Sequence, residues 1–336
     1  MIKKNYQWWA RFKSNRRGFY SLILFSAIFL ICLFAELIAN DKPLLLRYQN
    51  KFYLPILFSY SETQFGGDFA TEADYRDPYL QKLIKQNGWL IFPPIPYNYG
   101  TINFSISSPA PSPPAKDNWL GTDDQARDVA ARLIYGLRIS LIFGLILSIF
   151  SSIIGIILGA WQGYFGGFID LFFQRFMEIW SGLPVLFLMI ILSSLIEPNF
   201  WILLLIMLLF SWMGLVGMVR AEFLKARNYD FVRAAKALGA SHSRIIFIHI
   251  LPNALASAFA MMPFLLSQSI ITLTALDFLG LGMPIGSPSL GELLAQGKDN
   301  INAYWLTISG FVIVTLTSSL LIFIGEALRD SFDVRN

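Results

Sequence analysis

Residues Tyr229 to Asn253 read YDFVRAAKALGASHSRIIFIHILPN, the most charged short interval in the second half of the chain, flanked on both sides by long apolar segments. The stretch predicts two short helices around a sharp break. Asp230 is placed to cap the first, its carboxylate accepting from the free N–H groups of the opening turn. Ala234, Ala235, Ala237 and Leu238 favour helix, and Gly239 suits the left-handed residue that ends one. Ser241 is placed to cap the second helix and Pro252 to stop its pattern. Small residues at 234, 235, 237, 239 and 240 leave a low-relief surface, with Arg233, Lys236 and Arg244 around it. Such a surface suits either lipid headgroups, as a basic amphipathic loop, or the close approach of another protein.

The flanks belong to a membrane protein. Of 336 residues, 55% are hydrophobic and 14% charged, too apolar for an ordinary soluble domain. Thirty Phe and nine Trp suit lipid-facing and interfacial surfaces. The net charge is only +4, so the placement of basic residues on particular loops says more than their sum. No nucleic-acid partner is expected. The single cysteine, Cys32, excludes an intramolecular disulfide and a cysteine-built metal site. Within its apolar run it reads as a small core- or lipid-facing residue. His242 and His249 lie seven apart near a helix break, a poor spacing for a metal, and no metal is expected.

Residues 1–18 are basic and free of acids, with Trp8, Trp9 and Phe12 interleaved, as in a short helix at a membrane surface. Residues 19–38 form a first span. A cleaved signal peptide competes, but the run is long for one and Glu36 sits where small residues should prepare a cleavage site. Residues 39–136 form a polar insert, rich in aromatics and in proline at 93, 94, 96, 109, 111, 113 and 114. It reads as a small, loop-rich external domain whose second proline cluster is an extended linker.

Residues 137–325 hold five further spans: 137–158, 177–196 with a kink at Pro184, 200–219, 254–275 interrupted by Pro263, and 305–325. Gly155 and Gly159, four apart, let helices pack closely. The basic loop 220–253 belongs inside, while 197–199 and 276–304 belong outside. Six crossings then put both termini inside, with a short tail at 326–336.

Two further stretches stand out. Trp119, Leu120, Gly121, Thr122 and Asp123 precede the second span; the pattern predicts a turn at Gly121, with Thr122 or Asp123 capping the helix that follows. Residues 286–310, GSPSLGELLAQGKDNINAYWLTISG, read as a re-entrant or capping loop. Among polar residues within spans, Gln268, with Ser269 and Thr272, is the best candidate for a transport pathway; helix–helix hydrogen bonding is the plainer account. No Walker A loop, zinc-protease motif or nucleophile elbow occurs, so no catalysis is expected of this chain.

Three of these stretches resemble one family. The spacing of Arg233-Ala234-Ala235, Gly239 and Ile250-Leu251-Pro252 resembles the EAA loop of ABC-importer permeases, with Arg233 where many have Glu. WLGTDDQARDVAARLIYGLRISL resembles the segment before the second span of dipeptide/oligopeptide permeases, and Leu290-Gly291-Glu292-Leu293 stands in their external loop. With the enlarged insert, the chain is most similar to the microcin C/oligopeptide (Yej-type) permeases. The resemblance implies an all-α polytopic protein of the type I ABC importer permease fold, with six membrane helices and a periplasmic insert. It implies a coupling loop at Asp230, Arg233, Ala234, Ala235, Gly239, Arg244 and Pro252. It also implies a second homologous permease, a cytoplasmic ATPase that binds ATP and Mg, and a periplasmic peptide-binding protein, with cargo crossing the bacterial inner membrane by alternating access. Two rivals remain. A proton-coupled carrier needs acids or histidines at bilayer depth, and the spans hold few. A membrane scaffold or receptor needs no loop able to grip an ATPase.

Overall fold

The computed structural model describes residues 2–106, 108–284 and 286–332. The side chains of Lys3 and Lys4 and the tail residues 333–336 lie outside the described residues. The N-terminal segment is helical, α1 Ile2–Ser14, followed by α2 Arg16–Leu33 and the short α3 Ala35–Ile38. Phe12 is buried and Trp8 stacks on Phe332, so α1 lies against the far end of the chain.

The insert carries strands β1 Leu45–Tyr48 and β2 Lys51–Tyr53, helix α4 Pro78–Asn87, and strand β3 Gly88–Ile91. The strands form an antiparallel sheet in the order β2-β1-β3. Leu46 and Tyr48 point to one face, as alternation along a strand requires, and meet Phe65, Ala73, Tyr75, Leu80 and Ile84 in a core of their own. A second small cluster, Ala35, Ala39, Ile95, Tyr97, Ala130, Ala131 and Tyr135, roots the insert on the helix that follows it. The second proline cluster is pinned rather than extended freely: the Ser112 N–H donates to Thr122 Oγ1 at 2.8 Å.

That next helix, α5 Val129–Phe165, has 37 residues, about 55 Å at the ordinary helical rise. The helix therefore begins before residue 137 and continues past 158. After it come α6 Gly167–Ser181, α7 Val185–Leu195, α8 Phe200–Ser211, α9 Met213–Ala226, α10 Asp230–Ala237 and α11 His242–Arg244. The last helices are α12 Leu251–Phe278, α13 Leu290–Asp299 and α14 Tyr304–Phe332. Among the described residues, five helical stretches are long and apolar enough to cross a membrane, and α6 with α7, bent by 64°, makes a sixth if the pair is one broken span. The bend falls at Gly182–Pro184, a full break where the sequence predicts a kink, because Pro184 holds its own backbone extended ahead of α7.

Two expectations about proline fail. Pro263 sits inside the continuous α12 without interrupting it. Pro252 does not stop a helix but lies in the first turn of α12, behind a π-helical stretch at Ile245–Ile250. Proline lacks an N–H and crowds the carbonyl four residues back, and the wider π turn is where the chain adapts to it. The segment 286–310 contains α13, whose Leu290 and Leu293 enter the main core with Cys32, Leu137, Leu141, Ile270 and Leu306. Close packing of α5 on α9 rests on Gly155, Gly159 and Gly163. A β-carbon at each would lie 2.9, 2.8 and 2.6 Å from the carbonyls of Trp212, Val216 and Arg220 in turn.

Candidate functional site

α5 joins two clusters of polar residues, one at each end. At its C-terminal end stands the loop that the sequence singles out. α9 ends at Ala226, and Arg227 turns back, its Nη1 donating to the carbonyls of Gly163 and Tyr164 at 3.4 and 3.5 Å. Gly166, at φ +64°, leaves room for that guanidinium; a β-carbon there would lie 2.6 Å from Arg227 Nη1. Arg220 donates from Nε and Nη2 to the two oxygens of Asp170 at 2.6 and 2.7 Å, a two-pronged ion pair tying α9 to α6.

Within the loop, α10 forms from Asp230 but is not capped by it. Tyr229 is the cap residue, and Asp230 sits in the first turn, where its negative charge still meets the helix dipole favourably. Gly239 is left-handed, φ +81°, and the Ala240 N–H reaches back to the Ala235 carbonyl at 3.0 Å, as the break requires. Ser241 caps α11, accepting from the Arg244 N–H. Val232 is fully buried among Phe223, Ala226, Ile245, Ile250 and Ala254. Arg233, Ala234, Lys236, Ala237 and Gly239 face outward, and Ala235 packs partly inward. Leu238 is 88% exposed and Phe231 is exposed too, so the surface is not low throughout.

Two residues at this end were missed by sequence reasoning. Tyr164 is buried, with its hydroxyl 2.7 Å from His242 Nδ1 and Lys236 Nζ 5.4 Å from its ring centre. Asp170, in the first turn of α6, is the other. The signal for Tyr164 is weak: one aromatic in a glycine-rich segment beyond the expected span end at 158, which proves to be the last turns of α5.

At the other end, Asp128 caps α5. Its Oδ1 accepts from the Ala131 N–H at 2.8 Å and its Oδ2 from Asn118 Nδ2 at 2.7 Å. Burial pushes the Asp128 carboxyl up from its ordinary range, against the downward pull of those hydrogen bonds. Thr122 and Asp123, the predicted caps, do something else. Thr122 binds the proline arm through its hydroxyl and accepts from Trp305 Nε1 with its carbonyl at 3.2 Å. Asp123 accepts from Arg127 Nε at 2.7 Å and lies 3.3 Å from Arg132 Nε. Glu292 of α13 completes the cluster, with Arg127 at 3.2 Å and Arg132 at 2.8 Å. Gly121 is left-handed, φ +76°, and a β-carbon there would strike the Ser112 carbonyl at 2.7 Å. Trp119 and Leu120 are exposed. Thus the stretch before α5 and the segment 286–310, far apart in sequence, form one charged clasp.

Of the predicted pathway residues, Gln268 and Thr272 share a face of α12 and Ser269 does not. Gln268 is exposed on α12 and donates to Thr272 Oγ1 at 3.3 Å. Ser269 is turned into the bundle, its hydroxyl bonded to the Leu265 carbonyl of its own helix at 2.7 Å. Among the described residues, no group of three or more His, Cys, Asp or Glu side chains is placed to hold a metal.

Comparison with known proteins places this arrangement. Residues 151–336 match the family described as binding-protein-dependent transport system inner membrane component. Residues 6–55 match the N-terminal membrane domain of oligopeptide transport permease C. The chain is 56% identical to the inner membrane ABC transporter permease protein YejE of Escherichia coli, over 97% of this chain and 95% of that one. It is 51% identical to the peptidoglycan transport system permease protein YejE of Agrobacterium fabrum, over 97% and 92%. It is 33% identical to the oligopeptide transport system permease protein OppC of Bacillus subtilis, over 70% and 77%. A solved structure of the MetNI methionine ABC transporter, inward facing, superposes with a TM-score of 0.51 at 17% identity. That superposition covers 60% of this chain and 96% of the other, a likeness of fold. The chain belongs to the family of binding-protein-dependent transport inner membrane components, and is a multi-pass inner-membrane permease subunit of an ABC importer with the type I permease fold.

Proposed function

We propose that this chain is one half of a conduit for peptides or peptide-like compounds, those of the microcin C type included, that moves them from periplasm to cytoplasm. A second, homologous permease forms the other half. A separate ATPase subunit binds ATP and Mg and supplies the energy, and a periplasmic binding protein delivers the cargo. The basic loop and the basic N-terminal segment lie in the cytoplasm together with both termini, and the insert lies in the periplasm, as the distribution of Lys and Arg favours. Relatives named for oligopeptide and peptidoglycan transport support the cargo class.

One observation carries the coupling role: a helix held from below by fully buried Val232, whose outward surface includes Ala234, Ala237 and the 88% exposed Leu238. A protruding apolar side chain beside small residues is costly to leave in water and well shaped to enter a groove. Replacing it with an acid should remove the grip without touching the core. With Leu238→Glu, binding of the ATPase to the detergent-solubilised permease pair should weaken by more than about ten-fold. Titration of the purified ATPase against the permease pair measures this. Unchanged affinity would mean that α10 is not the docking surface.

A further inference from the structure

We propose that Tyr164 is the positioning residue that seats the loop on the span bundle, so that the orientation of α10 is passed to α5 through the polar contacts of this side chain. The inference deepens the coupling role proposed above and rests on it. Three separate parts of the loop converge on Tyr164. Arg227, after α9, donates to its carbonyl at 3.5 Å. Lys236, in the last turn of α10, stands over its ring at 5.4 Å. His242, opening α11, meets its hydroxyl at 2.7 Å and its ring edge-on, with centres 5.7 Å apart. Among the described residues, both side-chain polar contacts found between residues 230–244 and α5 end on Tyr164.

The geometry assigns Tyr164 a task that Val232 cannot perform. Val232 is gripped by apolar packing, which holds a helix down but has no direction and lets it turn about its axis. A hydrogen bond and a cation over a ring are directional. Placed on either side of the break at Gly239, they fix how α10 and α11 are oriented on α5 as well as how closely they approach. The seat itself is firm. Gly163, the preceding residue, lies so close to α9 that a β-carbon would meet the Arg220 carbonyl at 2.6 Å. Tyr164 therefore sits where α5 and α9 are locked together, and a twist of α10 passes into both helices.

The test uses the whole transporter in liposomes: this chain with its partner permease, ATPase and binding protein, supplied with a radiolabelled tryptic peptide mixture. Uptake and ATP hydrolysis are measured in parallel. Tyr164→Phe removes only the hydroxyl and keeps the ring. Peptide moved per ATP hydrolysed should fall about five-fold, the loss of one hydrogen bond, while hydrolysis itself stays within about two-fold of wild type. His242→Ala should lower the same ratio, and the double variant should fall no further than either single one. Lys236→Met, on an exposed side chain that folding does not need, should give a smaller fall. A merely structural tyrosine would instead lower assembly, hydrolysis and uptake together. That outcome, a wild-type ratio in Tyr164→Phe, or losses that multiply in the double variant would each overturn the proposal. Should Tyr164→Phe fail to assemble, wild-type ratios in both Lys236→Met and His242→Ala would do the same. Uptake by the wild-type complex without ATP would sink the coupling reading itself, a failure distinct from these.

Discussion

Glu292 puts one carboxylate oxygen on each of two buried arginines, Arg127 and Arg132. Removing it strands a cationic pair, since Arg132 has no exposed side-chain surface and Arg127 only 4%. Breaking such a buried pair typically costs 3–5 kcal/mol, and Asp123 remains to share the charge, so Glu292→Ala should cost about 3 kcal/mol. Glu292→Gln keeps an acceptor and should cost about half as much. Thermal unfolding of the purified protein in detergent, followed for both variants, checks the order and the size. At this scale the sequence was half legible. Gly121, Thr122, Asp123 and Glu292 all lie in stretches that stand out, and Gly239 and Ser241 do what their types suggest. What no local pattern could convey is that Glu292 pairs with residues 160 and 165 positions away. The caps misled for a related reason. Thr122, Asp123 and Asp128 are all competent N-cap types, and tertiary partners decide which one is left to cap. Ser112 claims the Thr122 hydroxyl and the two arginines claim Asp123, while Asp128 gives one oxygen to Asn118 and keeps the other for the Ala131 N–H.

Among elements, α5 decides the architecture and was the one most shortened in sequence reasoning. Its apolar run suggests a span ending at 158, but the helix continues through Gly159 and Gly163 to Phe165. They are helical because α9 needs them bare. Gly155, Gly159 and Gly163 recur every four residues on one face and meet the carbonyls of Trp212, Val216 and Arg220, themselves four apart. Inside a bilayer there is little hydrophobic drive between helices, so close packing of this kind supplies the attraction. Gly159→Leu should therefore force α9 away and lose the folded protein, whereas Leu on the lipid-facing side, as at Ile157, should be neutral. Retention of a single symmetric peak in size-exclusion chromatography, compared between Gly159→Leu and Ile157→Leu, checks this. Wild-type behaviour of Gly159→Leu would show that α5 and α9 need no contact. The prolines teach the converse. Pro184 breaks its span, while Pro252 and Pro263 lie within α12, so the residue type alone does not tell a break from a tolerated first-turn or interior site.

On the scale of the whole molecule, the spans and the sheet of the insert have different cores. In the insert, Phe65 is ringed edge-on by Tyr48, Tyr53, Tyr60 and Tyr75 at 5.2 to 6.2 Å, and none of these residues enters a cluster of the helical bundle. The aromatic richness of residues 39–136 signalled a folded unit, but not its sheet, whose strands have only three or four residues and carry little periodicity. The sheet offers a clean place to cut. Leu44 donates its N–H to the Ile91 carbonyl at 2.8 Å, and Leu45 pairs with Ile91 across the sheet. Two glycines can therefore join Leu44 to Phe92 in place of residues 45–91. This leaves Ile95, Tyr97 and the root on α5 in position, although Arg76 no longer covers Tyr97. Basal ATP hydrolysis of the assembled complex should be unchanged, because the loop end of α5 is untouched. If the insert receives the binding protein, the stimulation of hydrolysis by cargo-loaded binding protein, and peptide uptake with it, should fall by at least about ten-fold, as loss of a central docking surface does. Stimulation at the wild-type level after the excision would place the docking surface elsewhere, and the outer clasp around Glu292 would then be the next surface to test.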